Sequence, residues 1–179
     1  MILHSLVYQI DAEDCLVNLS NHWDTWACAN GGVGITSHSV INQSIFRYIS
    51  GESCREIYRL LIVHVRKKHQ EAVFPFRCDS PGLRRYMELE IIPADKGHVQ
   101  FETHVLKEEP RPDVNLLDLS SPRSHLSLVM CSLCQKVKDS DQKWLEIEQV
   151  LDKEGFSAKP YPQLIYSVYE SCFHLLGLR

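Results

Sequence analysis

Between residues 72 and 106 the apolar residues recur at every second position, and two turn signals cut that run into three. Phe74, Phe76 and Cys78 alternate with Val73, Pro75 and Arg77; Met87, Leu89 and Ile91 alternate with Tyr86, Glu88 and Glu90. Val99, Phe101, Thr103 and Val105 then alternate with Gln100, Glu102, His104 and Leu106. A period of two sends successive side chains to opposite faces, so each run predicts a strand with one face on a core. Asp79-Ser80-Pro81-Gly82 and Asp95-Lys96-Gly97 are turn sequences, and such short loops are most cheaply closed between antiparallel neighbours. Proline cannot donate to a ladder, which puts the first of these strands at a sheet edge or opens it at Pro75.

The chain upstream supplies a cover for the apolar face. Leu6, Tyr8 and Ile10 predict a first strand closed by turn residues 11–14, and Cys15, Val17 and Leu19 a second. The period then lengthens. Trp23, Trp26 and Ala27 share a helical face, with Ser20 or Asn21 as its cap and Asn30-Gly31-Gly32 as its stop. A second helical region begins near Ile41 and pauses at Gly51. Ser53-x-x-Glu56 has the form of a capping box, and Ile57, Leu60, Leu61, His64, Val65 and Lys68 follow it as one stripe. The order strand, strand, helices, three strands predicts an α+β fold: a five-stranded antiparallel sheet with helices packed on one face.

Glu108-Glu109-Pro110-Arg111-Pro112-Asp113 is charged and proline-rich, and more turn chemistry occupies residues 118–123. Together these make residues 109–125 a linker between a domain at 1–108 and an extension at 126–179. The extension carries Cys131-x-x-Cys134, a helix around residues 144–151 and a final helix over 163–176. Ile165, Val168, Tyr169, Cys172 and Leu176 form its apolar stripe, so a short, mostly helical extension is expected.

A net charge of −4 with scattered basic residues leaves no electrostatic footprint for nucleic acid. Arg66-Lys67-Lys68 sits where cations complement a helix C-terminus and reads as a solvated helix end. No apolar stretch approaches the roughly 20 residues that span a bilayer, and Met1-Ile2-Leu3-His4 lacks the basic start of a signal peptide. Seven cysteines in such a chain are expected to be reduced or metal-bound, in the cytoplasm. Nucleophile elbows, phosphate-binding glycine loops and His-Glu-x-x-His are absent, so an enzyme is not expected.

The element order over residues 5–107 resembles a PAS domain. Trp23-x-x-Trp26-Ala27-x-x-Asn30-Gly31-Gly32, Phe76-Arg77-Cys78-Asp79-Ser80-Pro81 and Arg84-Arg85 are similar to a family of small bacterial PAS-like proteins. Met130-Cys131-Ser132-Leu133-Cys134-Gln135-Lys136-Val137-Lys138, followed by Trp144, resembles a cysteine module found after bacterial sensory domains. That module carries a second cysteine pair, whose place here is taken by Tyr169-Glu170-Ser171-Cys172. The resemblance implies a sensory or regulatory module of bacterial signal transduction, binding a small molecule, a protein partner or both. With no output domain read in the sequence, the signal would pass by association, and a homodimer is one form of it. A ligand between sheet and helices would meet Trp26, Ile45, Tyr58, Leu61, Phe76, Met87, Leu89 and Phe101. Each of these reads more readily as plain core, and together they could equally fill the interior and leave no pocket. A ligand-free scaffold and a thiol- or metal-dependent enzyme using Cys131 and Cys134 are the alternatives.

Two cysteines separated by two residues form half of a tetrahedral zinc site, each sulfur about 2.3 Å from the ion. Cys131, Cys134 and Cys172 are the candidate ligands, with His174 or His125 as a fourth. A metal-free pair and a redox pair remain open, and Cys172 also reads as a buried structural thiol. Haem would rest on His64 alone and a photosensory flavin on Cys54 alone. Arg84 and Arg85 point to opposite faces of a strand and read first as structural or solvated; one could pair with Asp79 across the turn and the other meet an anionic ligand.

Overall fold

The computed structural model describes residues 5–30, 32, 34–156 and 159–176. A first sheet, antiparallel throughout, has the order β2-β1-β5-β4-β3. Its strands are β1 (Ser5–Ile10), β2 (Leu16–Leu19), β3 (Ala72–Arg77), β4 (Leu83–Pro93) and β5 (Val99–Pro110). Between β2 and β3 come α1 (Trp23–Ala29), α2 (Ser37–Val40) and α3 (Glu52–Lys68). The period-two residues lie where the alternation puts them: Met87, Leu89 and Ile91 of β4 and Val99 and Phe101 of β5 are buried. Ile57, Leu61, Ile62 and Val65 of α3 pack on that face. This is an α+β layer of five antiparallel strands with helices on one face. Pro75 lies on an edge strand, the place that tolerates a missing donor.

Local signals fared less evenly. The capping box expected at Ser53 and Glu56 does not form, because α3 starts at Glu52 behind Gly51. Gly51 has a φ of 86°, and a Cβ there would stand 2.5 Å from the Tyr166 carbonyl oxygen. That close approach, which glycine alone permits, sets the start of α3. Neither Ser20 nor Asn21 caps α1, whose N-cap is His22. The helix expected from Ile41 is replaced by α2, which ends at Val40, and a 3-10 turn at Ile45–Arg47. Asn42 between them takes a φ of 61°, which a helix cannot absorb. Arg66 is not simply a solvated helix end: it pairs with Asp14 at 2.8 Å and donates to the Asp11 carbonyl at 2.6 Å.

The extension is not mostly helical. It is a four-stranded sheet of order β8-β7-β6-β9, built from β6 (Arg123–Cys131), β7 (Val137–Lys138), β8 (Trp144–Leu145) and β9 (Tyr161–Ser167). The helices are short: α4 (Ile147–Glu154) and α5 (Glu170–Phe173). The final helix expected over 163–176 is thus β9 followed by α5. Its first half pairs in parallel with β6, Leu128 opposite Leu164 and Met130 opposite Tyr166. Parallel strands need a crossover, and α4 provides it. The helix expected over 144–151 begins at Ile147, since Trp144 and Leu145 pair with β7.

Residues 108–113 do not behave as a free linker. Strand β5 pairs with β4 as far as Pro110, opposite Leu83. Arg111 is buried among ion pairs, and Val114 and Leu116 pack with Val150 and Tyr161 in a second apolar cluster. The extension closes on β3 and α3. The Arg77 amide donates to the Leu133 carbonyl at 2.7 Å. Cys131, Leu133, Val168, Cys172 and Leu176 share one buried cluster with Ile57, Leu61 and Phe74. Among the described residues, no helix is long and apolar enough to cross a membrane.

Candidate functional site

A cavity of about 240 Å³ lies between the first sheet and its helices. Trp26, Ile45, Tyr58, Phe76, Met87 and Leu89, six of the eight residues expected at a ligand, line it. Leu61 and Phe101 do not. Both are fully buried, and the Phe101 ring stacks on Tyr8 at 4.9 Å and on Tyr58 at 6.4 Å. Phe101 therefore backs the wall instead of facing the space. Tyr8, Trp23, Ile35 and Thr103 also line the cavity and were missed by sequence reasoning. Tyr8 stood out only as one of an alternating strand, and Trp23 as a helix-face residue and part of the resemblance, not as a lining residue.

Among the described residues, the lining carries no charged side chain. The Trp23 indole donates to the Ile35 carbonyl at 2.8 Å, and the Thr103 hydroxyl to the Leu6 carbonyl at 3.3 Å. Burial pushes the Tyr8 and Tyr58 phenols up, so both stay protonated and neutral at physiological pH. The space suits an uncharged, flat or apolar molecule.

A larger cleft of about 750 Å³ opens at the seam between this layer and the extension. Tyr58, Phe76 and Cys78 line both spaces. Asp79, its carboxylate 1% exposed, organises the charge beside the cleft. Arg77 bonds it and also Glu146, the latter at 2.8 Å. Arg111 reaches Asp79 and Glu148, each at 3.3 Å. The expected partners differ: Arg85 reaches Asp79 through its backbone amide at 3.2 Å and pairs its side chain with Glu108 at 2.9 Å. Arg84 pairs with Glu148 at 2.8 Å. No periodicity marks Arg77 or Arg111 as the true partners; the first alternates with core residues and the second lies in the stretch read as linker.

The three candidate thiols come together. Cys131 ends β6, Cys134 follows in the turn to β7, and α5 delivers Cys172. Their sulfurs lie within 4.8 Å of one another, and Cys131 Sγ is 3.9 Å from Cys172 Sγ. Cys131 Sγ accepts the backbone N–H groups of Tyr169 at 3.3 Å, Leu133 at 3.4 Å and Cys134 at 3.5 Å. The Cys134 thiol donating to it, together with those amides, holds Cys131 well below the usual thiol range. The same shared proton pushes Cys134 up, and burial raises Cys172 to about 11. Among the described residues, no histidine or carboxylate joins this group. His174 and His125 are exposed. The Tyr169 ring turns away to pack on Trp144 at 5.2 Å.

Neither sequence-level cofactor idea gains a site. Cys54 is buried along the seam cleft, and His64 lines neither the cavity nor the cleft. A second metal-like group, Glu90, Glu102 and His104, lies half-buried on β4 and β5.

No family model matches the sequence, and no curated protein matches it. Among solved structures, a sensory box sensor histidine kinase from Vibrio cholerae is similar over 59% of this chain and 83% of its own, at 16% identity and a TM-score of 0.43. That likeness is too distant to carry a function.

Proposed function

We propose that this chain is a PAS-like sensory or regulatory module that holds a small uncharged molecule between its first sheet and its helices. The observation that carries this reading is the uncharged, aromatic-walled cavity of about 240 Å³ inside an otherwise packed layer. The recess opens towards solvent beside the exposed Tyr48, and an apolar lining of this kind gains when a ligand takes its surface out of water. A void of about 150 Å³ accepts benzene, so this one suits a molecule of one or two rings or a comparable chain. Occupancy would bear on Tyr58 of α3 and Phe76 of β3, the two elements against which the extension packs. The response would then pass to a protein partner, a second copy of the chain included.

Mass spectrometry of the freshly purified chain, native against denatured, tests this. A released small-molecule mass is the expected result. A bare polypeptide, with no thermal stabilisation across a broad metabolite collection, would leave the fold as a ligand-free scaffold.

The thiol group supports a second, structural element of this reading: zinc held by Cys131, Cys134 and Cys172. Sulfurs about 2.3 Å from a tetrahedral ion stand roughly 3.8 Å apart, close to the 3.9 Å between Cys131 and Cys172. Such an ion would pin the β6–β7 turn to α5, and a non-protein ligand would complete its fourth position. The burial of Cys131 favours this role over that of an attacking thiol. Metal analysis should return one zinc per chain, lost in Cys131→Ser.

A further inference from the structure

The uncharged cavity and the seam cleft differ in chemistry but share a wall one side chain thick, made of Tyr58, Phe76 and Cys78. On the inner side the lining is aromatic and aliphatic. On the outer side it includes Ser120, Ser132, Gln135 and Tyr166. Ser132 Oγ is buried with no oxygen or nitrogen partner, only the weak Cys54 thiol beside it. A buried hydroxyl left with so weak a partner gains from a stronger one.

The charged groups along the cleft are already engaged. Arg77 is held by Asp79 and Glu146, and Asp79 by Arg77 and Arg111. Asp118 accepts from the Ser120 amide at 2.9 Å and the Ser121 hydroxyl at 3.1 Å. An anionic ligand group would have to compete with Asp79 and Glu146 for Arg77, and the Ser120 hydroxyl is held by Asp118 at 2.7 Å. A neutral hydrogen-bonding group would instead meet Ser132, Tyr166 and the Gln135 amide.

We propose that the two spaces are halves of one site, and that its ligand is a neutral amphiphile. Its apolar part lies against Trp26, Met87 and Leu89, and its hydrogen-bonding head passes Phe76 to reach Ser132 and Tyr166 in the seam. This rests on the ligand-binding reading above and adds the ligand's class and the surface that reads it. Ser132 lies in the β6–β7 turn and Tyr166 on β9, so the head touches the extension directly. Passage requires a rotation of Tyr58 or Phe76, which ties occupancy to α3 and to β3.

Calorimetric titration of the full chain with naphthalene, naphthaleneacetamide and naphthaleneacetate tests the proposal, since the three share one ring system and differ in the head. The amide is expected to bind about tenfold tighter than naphthalene, the worth of one or two well-made hydrogen bonds, and the acetate more weakly than the amide. In Ser132→Ala or in Tyr166→Phe, which keeps the ring, the preference for the amide should fall while naphthalene affinity is unchanged. Leu89→Trp, which fills the inner half, should abolish binding of all three. Naphthalene binding with no preference for the amide, or a preference intact in both variants, overturns the two-part site and leaves the cavity reading standing. Failure of every probe to bind overturns both.

Discussion

The backbone N–H of Arg77 donates to the carbonyl of Leu133 at 2.7 Å, so the last residue of β3 is tied to the centre of the cysteine turn. An edge strand with unpaired backbone groups is a template for unwanted pairing, and here the extension occupies part of that edge. The side chain of Arg77 then turns to Asp79 and Glu146 and joins α4 to the first sheet.

Arg77→Ala is expected to destabilise the fold by about 3 kcal/mol, because removing one member of a buried ion pair leaves its partner uncompensated. Urea denaturation measures it. A loss within 0.5 kcal/mol, about what a surface substitution gives, would show that Arg111 alone satisfies Asp79.

Gly51→Ala should be more harmful than Gly155→Ala. Both glycines have positive φ, 86° and 71°, but only at Gly51 does an added Cβ meet backbone, the Tyr166 carbonyl oxygen at 2.5 Å. Gly155, the C-cap of α4, has nothing within 4 Å. At Gly155, whose ψ of 24° is left-handed α, an alanine costs about 1 kcal/mol. Gly51, with a ψ of 131°, lies outside that region, where only glycine is at ease, so backbone strain and the contact with the extension together make up its excess. Equal melting temperatures for the two variants would contradict that contact.

Tyr169→Cys should complete the thiolate set. The backbone N–H of Tyr169 is already 3.3 Å from Cys131 Sγ, so a cysteine there reaches the thiols once its side chain turns from the Trp144 side, where the Tyr169 ring lies, towards Cys131. Titration with Cd²⁺ reads it directly, because each metal–sulfur bond adds to the thiolate charge-transfer band. The band should grow by about a third, from three bonds to four. No thiolate band in the unaltered chain would rule out the three-cysteine metal site.

Acid should loosen the extension through Asp139. Its carboxylate is buried and accepts from Lys153 Nζ at 2.8 Å and the Lys143 amide at 2.7 Å. The bond to Lys153, then that to Lys143, lowers its pKa. A carboxylate lowered on folding contributes stability that is complete above its unfolded value, about 3.9, and is lost as pH falls through the folded value. Asp139→Asn should therefore flatten the acid limb of the stability curve below about pH 4. Asp141→Asn, which removes only the exposed partner of Lys153, should leave it unchanged. Identical acid limbs for Asp139→Asn and the unaltered chain would sink the assignment.

The first sheet was legible because its residues alternate: Met87, Leu89 and Ile91 face one side and Tyr86, Glu88 and Glu90 the other, and no tertiary contact was needed to see it. Strand β9 was not. Ile165, Val168, Tyr169, Cys172 and Leu176 also satisfy a helical period, and only pairing with β6, remote in sequence, decides for a strand over its first half. The cavity was half legible. Apolar residues of the right faces were identifiable, but whether Phe101 lines a space or backs it depends on its stacking with Tyr8. Cys131 and Cys134 were found by their spacing, and Cys172 through the resemblance to the cysteine module. The buried charges around Asp79 were not, since ion-pair partners that fold from different elements leave no local pattern.

The mixed membership of the main apolar cluster has a consequence for how the chain is made. Ile10 and Leu16 lie near its start, and Val168, Cys172 and Leu176 near its end, yet all belong to one buried cluster. On the ribosome, the five-stranded layer would emerge with α3 and the β3 edge still uncovered, and β6 would wait for β9 before finding its parallel neighbour. Closure of the interior is thus left to residues synthesised well after the layer they cover, which makes the nascent chain a natural client for chaperones.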